Sequence, residues 1–237
     1  GPAAARYTEA RLTKFSQLAL LGDMTRGSVD WMPNYDDTLE EPMVLPAMLP
    51  NLLIQPQEGI GVGYACEHLQ YNLSEVVTLT LAYVEALLKG KKTLSSAEIL
   101  DIVKGPDFPG GARLVRSQGI EDAILTGRGT VQVVSVWHRE TCTIPGKRGK
   151  EITGEAVVVT ELPFRVSSEE LVNQIGQMAI NGDLPELVAI QNESARNECR
   201  LVMMFKPGCQ IDSVMQYLFK KTDLSKTYSA NALAIHE

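Results

Sequence analysis

Apolar residues along this chain recur with two different periods. From Asn72 to Gly90, the residues Leu73, Val76, Val77, Thr80, Val84, Leu87 and Leu88 keep helical spacing behind an Asn72/Glu75 capping pair and predict an amphipathic helix that ends at Gly90. Earlier, Leu12, Phe15, Leu18 and Ala19 hold the same spacing between Thr8, a cap residue, and Gly22, which stops the run. "SAEILDIVKG" predicts a shorter helix ending before Pro106, "GPDFPGG" a rigid turn, "ARLVR" a strand and "GIEDAIL" a helix. "TVQVVSVWHRE" predicts one long strand that reverses near the glycines of "IPGKRGK".

The last third is the most regular. It predicts a strand over 155–162, a helix over 168–180 capped by Ser167 and Glu170, strands near 186–192 and 199–206, a helix over 212–221 and a strand near 230–236. That order is β-α-β-β-α-β, the split βαβ arrangement, and the fold class is α+β. Between residues 31 and 50 the prolines at 33, 42, 46 and 50 forbid a regular helix, so "WMPNYDDTLEEPMVLPAMLP" reads as a linker wrapped on a surface. "NLLI" then predicts a short strand, and the glycines of "EGIGVGYA" allow close approach of the backbone to another group.

Composition narrows the function. The 237 residues are 44% apolar, enough for one large core or two modest ones, and the net charge of −7 argues against a protein whose whole surface grips nucleic acid. Any such contact is local. Arg113, Arg116 and Arg128 fall close together in sequence, and Lys147, Arg148 and Lys150 crowd "IPGKRGKE", where a solvated loop explains the charge as well as a phosphate contact does. No window approaches the roughly 18 to 20 apolar residues of a membrane span, and no basic segment leads into an apolar one at the N-terminus. A cytoplasmic or nucleoid protein is expected. Cys66, Cys142, Cys199 and Cys209 form no C-x-x-C pair and only three histidines accompany them, so a zinc site is not expected and reduced thiols are. The pair Asp36 and Asp37 reads as a turn rather than a metal site.

By itself Tyr7 is a packing residue like most tyrosines. Its setting in "AAARYTEARL", however, resembles the active-site segment of the type IIA DNA topoisomerases, specifically the A subunits of bacterial gyrase and topoisomerase IV. Further stretches recur in that family's order: "DWMPNYDDTLEEP", "LPNLL", "GIGVG", "NLSEVV", "GPDFPGG", "GRGT" and "VVVTELPFRV". The ending "DSVMQYLFKKTDLSKTYSANALAI", with the "DW" at 30–31, leans toward topoisomerase IV. In two places the chain departs from the family's usual pattern, carrying "QPQEG" for an Asn-Gly turn and "EHLQYN" for "NIPPHN".

The resemblance implies that Tyr7 attacks a DNA phosphodiester and forms a 5′-phosphotyrosyl bond. It implies that Arg6 stabilises the charge growing on the phosphate, that Ile60 is an apolar wedge between base pairs, and that Arg113, Arg116 and Arg128 touch DNA. Without it, Ile60 reads as a buried strand residue. "GIGVG" lacks the G-x-G-x-x-G spacing of a dinucleotide site. Residues 1–45 would be the tail of a winged-helix region with the nucleophile, and 46–237 an α/β tower domain. The nucleophile stands near the start because the chain looks like a piece cut from a longer protein. Magnesium and ATP are expected on a B-type partner with ATPase and Toprim domains, none on this chain, within a heterotetramer of two A-type and two B-type chains. The isolated chain is expected to cleave little or no DNA. The alternative is a non-catalytic, DNA-binding module of the tower type.

Overall fold

Thr13, not Thr8, caps the first helix. In the computed structural model, which describes residues 4–24, 27–145, 151–195 and 198–234, α1 runs Lys14–Ala19 and its cap hydroxyl accepts from the Ser16 backbone N–H. The segment before it is a 3-10 turn, Ala5–Tyr7. The apolar spacing from Leu12 onward is real, but the long polar lead is not drawn into the helix, and Tyr7 stands well before the helix N-terminus instead of against it.

The proline-rich segment is a hairpin, not a featureless linker. Strands β1 (Trp31–Pro33) and β2 (Glu40–Pro42) pair antiparallel, with both prolines at strand ends where a missing N–H costs least. Asn34 and Asp36 close the turn: Asn34 Oδ1 accepts from the Thr38 N–H at 3.0 Å and Asp36 Oδ1 from the Thr38 hydroxyl at 2.6 Å. That hydroxyl bond holds the Asp36 carboxyl below the ordinary carboxylate range, while Asp37 takes the left-handed φ of 56° that the turn demands. "NLLI", predicted as a strand, is one helical turn, α2 (Asn51–Ile54). A four-residue apolar run has no period to tell the two apart.

The chain separates into two compact units, Gly1–Ile54 and Gln55–Glu237, and the expected boundary at 45/46 falls inside the first. The second unit opens with a hairpin of β3 (Gln57–Gly61) and β4 (Tyr64–His68), followed by α3 (Leu73–Leu88) and α4 (Ser96–Ile102). Asn72 caps α3 as its position requires, accepting from the Ser74 and Glu75 N–H groups. Glu75 does not reciprocate, its carboxylate accepting instead from the Lys104 backbone N–H. The side of α3 expected to be buried is largely open: Val76 and Ala86 are buried, whereas Leu73, Val84, Leu87 and Leu88 are exposed.

Strand β5 (Arg113–Val115), α5 (Gln118–Thr126) and β6 (Arg128–Val134) follow. The predicted long strand breaks at Ser135, whose N–H donates to the Leu224 carbonyl at 2.8 Å. There the chain passes from one sheet to another, since β7 (Val136–Pro145) belongs elsewhere than β6. Strand β8 (Glu151–Glu161) pairs antiparallel with β7, and the glycine-rich reversal with Lys147, Arg148 and Lys150 lies outside the described residues.

The remaining elements are α6 (Ser168–Ile180), β9 (Leu187–Asn192), β10 (Leu201–Phe205), α7 (Ile211–Lys221) and β11 (Ser225–Asn231). Their order along the chain is the expected one, but they do not make a single sheet. The four-stranded sheet runs β7-β8-β10-β9, and β11 lies in the five-stranded sheet β3-β4-β11-β6-β5. Strand β7 therefore occupies the edge beside β8 where a split βαβ unit would seat its last strand. Helices α6 and α7 cover one face of the four-stranded sheet, burying Val157, Val159, Leu171, Ile175, Leu201, Met203, Phe205, Met215 and Leu218. A smaller core joins β6 and β11 to α5 through Val131, Val133, Tyr228 and Ile120, with the Phe108 ring tilted against that of Tyr228 at 4.8 Å. The class is α+β.

Candidate nucleic-acid interface

Arg6 and Tyr7 are brought together by the 3-10 turn. The Tyr7 N–H donates to the Ala4 carbonyl at 2.9 Å, and the Arg6 guanidinium carbon lies 4.9 Å from the centre of the Tyr7 ring. Tyr7 is 72% exposed, so its hydroxyl is open to a ligand and is not tied up in a core.

Ile60 is not a buried strand residue. It sits one rung from the end of the β3/β4 hairpin, opposite Ala65, and is 87% exposed. Val62 and Gly63 make the two-residue turn, Gly63 with φ 84°, and Val62 is fully exposed at the apex. The glycines have a specific role here. Gly61 faces Tyr64 across the ladder, and a Cβ at Gly61 would lie 2.6 Å from the Tyr64 ring, so the ring lies directly over that glycine. The group approached closely by the backbone is thus a side chain of the neighbouring strand.

The base of the hairpin is charged. Glu58 lies directly opposite Glu67, and Arg165 donates to Glu58 at 2.6 Å. Burial, and then the Glu58 charge, push the Glu67 carboxyl above its ordinary value against the opposing pull of Arg165. Arg165 itself has φ 60°, a conformation costly for a side chain of its size, and its guanidinium lies 5.0 Å over the Phe164 ring. Phe164 packs against Phe108 and Tyr228, and the Tyr228 hydroxyl donates to its carbonyl. Sequence reading missed this arrangement. Arg165 stands inside the quoted "VVVTELPFRV", and no local pattern links it to a glutamate 107 residues earlier.

The three arginines do not form one cluster. Arg128 lies opposite Asn231, Asn231 opposite Glu67 and Glu67 opposite Glu58, so Arg128 shares a row and a sheet face with the base of the hairpin. Arg113 lies opposite Val134, at the other end of β6, about 20 Å away at roughly 3.3 Å per residue. Arg116 lines a groove of about 470 Å³ between α4, β5 and α5 with Lys104, Leu114 and Ile120. Proximity in sequence misled because β5 and β6 are antiparallel neighbours with α5 between them in the chain. Among the described residues no group of three or more His, Cys, Asp or Glu is placed to hold a metal ion, and no helix is long and apolar enough to cross a membrane.

An exposed tyrosine beside an arginine stands on the first unit, and an exposed apolar hairpin tip on the second. The model of the family described as the A subunit of DNA gyrase/topoisomerase IV matches residues 1–237. The chain belongs to that family. It is 37% identical over 236 residues to the A subunit of DNA topoisomerase 4 from Staphylococcus epidermidis, covering 100% of this chain and 28% of that protein. It is 39% identical to the A subunit of DNA topoisomerase 4 from Escherichia coli, covering 97% of this chain and 28% of that one. Against the A subunit of DNA gyrase from Synechocystis it is 35% identical, covering 99% and 26%. The chain thus spans little more than a quarter of the length of these relatives.

Proposed function

We propose that this chain carries the strand-breaking tyrosine and the DNA-bending hairpin of the A-type component of a type IIA topoisomerase. The observation that carries the reading is the exposed Arg6/Tyr7 pair in a chain matched throughout by the family model. A phenol, with its ordinary pKa of about 10, is a poor nucleophile at neutral pH until its proton is removed. Tyr7 Oη attacks a backbone phosphorus, a P–O(tyrosine) bond forms, the bond to the 3′ oxygen breaks, and that oxygen leaves as a hydroxyl. Arg6 offsets the charge on the non-bridging oxygens. One phosphodiester replaces another, so the reverse attack reseals the strand.

Ile60 enters a base step and unstacks it, so that the bent duplex touches more protein. Arg128, on the hairpin's end of the sheet, and Arg113 and Arg116 farther along, bind phosphates of the duplex. Residues 1–45 act as the tail of a winged-helix region and 46–237 as the tower domain. Magnesium and ATP belong to a B-type partner, two A-type and two B-type chains assemble around DNA in the cytoplasm, and strand passage serves decatenation or supercoil control. No step above runs through a metal held by this chain, which alone cleaves little or no DNA.

Covalent trapping tests the reading. The complete A-type protein, its B-type partner, magnesium, ATP and end-labelled duplex are incubated and quenched with detergent, and labelled protein is measured beside Tyr7→Phe. Label that vanishes with Tyr7→Phe supports the nucleophile. Bound DNA without label in either protein replaces it with a non-catalytic tower module.

A further inference from the structure

We propose that Arg165 is a positioning residue for the DNA-entering hairpin, acting through Glu58; the proposal rests on the reading of Ile60 as the wedge. Strand β3 is the edge of its sheet, and β4 joins the sheet through one rung, Glu67 opposite Asn231, aided by a bond from the Asn231 amide to the Ala65 carbonyl and, at the foot of the hairpin, by bonds between the His68 ring and the Leu233 backbone. Beyond that rung, toward the turn, no described strand flanks the hairpin, which tends to leave its tip unbraced. Its base also carries two carboxylates directly opposite each other, Glu58 and Glu67, an arrangement that pushes paired strands apart.

Arg165 opposes both tendencies. Its guanidinium meets Glu58 at 2.6 Å, two residues from Ile60, while its backbone belongs to the segment anchored by the Phe108, Phe164 and Tyr228 rings. The left-handed backbone at Arg165, φ 60°, lies in the segment that brings this guanidinium to the edge strand. An ordinary surface ion pair needs no such conformation. The clamp thus connects the aromatic core to the base of the hairpin and fixes the angle at which Ile60 and Val62 project.

The test uses the 237-residue chain. Amide hydrogen exchange of residues 57–68 is read in free protein, and bending of an end-labelled duplex by energy transfer, for wild type, Arg165→Gln, the exchanged pair Glu58→Arg with Arg165→Glu, and Ile60→Ala. Arg165→Gln should speed exchange across the hairpin about three- to fivefold, with the melting temperature of the rest of the chain retained, and should reduce the bend. The exchanged pair should restore both. Unchanged exchange in Arg165→Gln, or no restoration by the exchanged pair, overturns the clamp. If Arg165→Gln loosens the hairpin but Ile60→Ala bends DNA as wild type does, the clamp stands and the wedge reading falls. A chain that binds no duplex still decides the clamp through exchange.

Discussion

The four-stranded sheet and the β3/β4 hairpin use the same kinds of side chain in opposite ways. In the sheet, Val157, Val159, Leu201, Met203 and Phe205 are withdrawn from water beneath α6 and α7. In the hairpin, Ile60, Val62 and Tyr64 stand in water on a two-residue turn. Single exposed apolar residues are common on any surface. Three of them on one projecting tip, over glycines that leave room for a ring, are not needed by the fold. The lesson is that a residue's type does not assign its role, whereas what it displaces does. In the sheet that is solvent from the core, and at the tip, on the proposed reading of Ile60, it is a partner's own contacts.

The strongest way to break this comparison is truncation on each side of it. Phe205→Ala should lower the unfolding free energy by about 3–5 kcal/mol, the range for emptying a fully buried aromatic site. Ile60→Ala should change it by less than about 0.5 kcal/mol. Urea unfolding of the two variants measures both. An Ile60→Ala loss approaching that of Phe205→Ala would mean that the tip is packed in solution, and the contrast would collapse.

A second, smaller effect concerns the tip itself. Gly61→Ala would drive a methyl into the Tyr64 ring, with atoms at 2.6 Å, and should cost about 1–3 kcal/mol or expel the ring. Adding Tyr64→Ala should relieve most of that cost. A cycle over the two positions therefore shows a large coupling if the ring lies over the glycine, and near additivity if it does not.

Much of this was legible in the chain. The caps at Asn72 and Ser167, the stop at Gly90, and the alternation of strands and helices after 155 are local chemistry, and local chemistry is what periodicity and capping rules read. Sheet membership is not local. Strand β11 joins β4 and β6, and β7 replaces it beside β8, because strand pairing is settled by cores assembled from distant segments. The same reason hid the site's support. Ile60 and Arg6/Tyr7 stand in local motifs that a reader of the chain can single out, whereas Arg165 meets Glu58 only after the chain has passed through β5 to β8. The open face of α3 was misjudged because helical spacing finds an apolar side without saying what covers it.

At the next scale down, the α3 cap gives a check on that local reading. Asn72 Oδ1 accepts from two backbone N–H groups, at 3.0 and 3.4 Å, and its amide donates to Asp107. Asn72→Ala should cost about 1 kcal/mol, measured by thermal or urea unfolding. Asn72→Asp should keep the cap but lose the donor to Asp107, and place two carboxylates together, so it should fall between the two.

The smallest effect concerns the other face of the four-stranded sheet, where the comparison turns subtle. Ala156, Val158 and Val202 are buried there, yet their cross-strand neighbours are polar: His138 lies opposite Val158 and Glu140 opposite Ala156. Cys142 and Met204 pack against this apolar strip, and the polar groups of the same face bond to one another. Arg200 grips Glu140 with two bonds, at 2.7 and 3.0 Å, and holds Glu193 at 3.0 Å. That grip, with a further bond from His138, holds the Glu140 carboxyl down at about 2. A carboxyl depressed in the folded state stabilises the fold above its unfolded pKa, near 4.5, and loses that contribution as pH falls toward about 2. Wild type should therefore exceed Glu140→Gln in stability at pH 6 by a small margin that salt diminishes, and the margin should close between about pH 4.5 and 2. Unfolding curves of the two proteins across that range decide it. A margin constant with pH would show that the Glu140 charge adds nothing to the sheet.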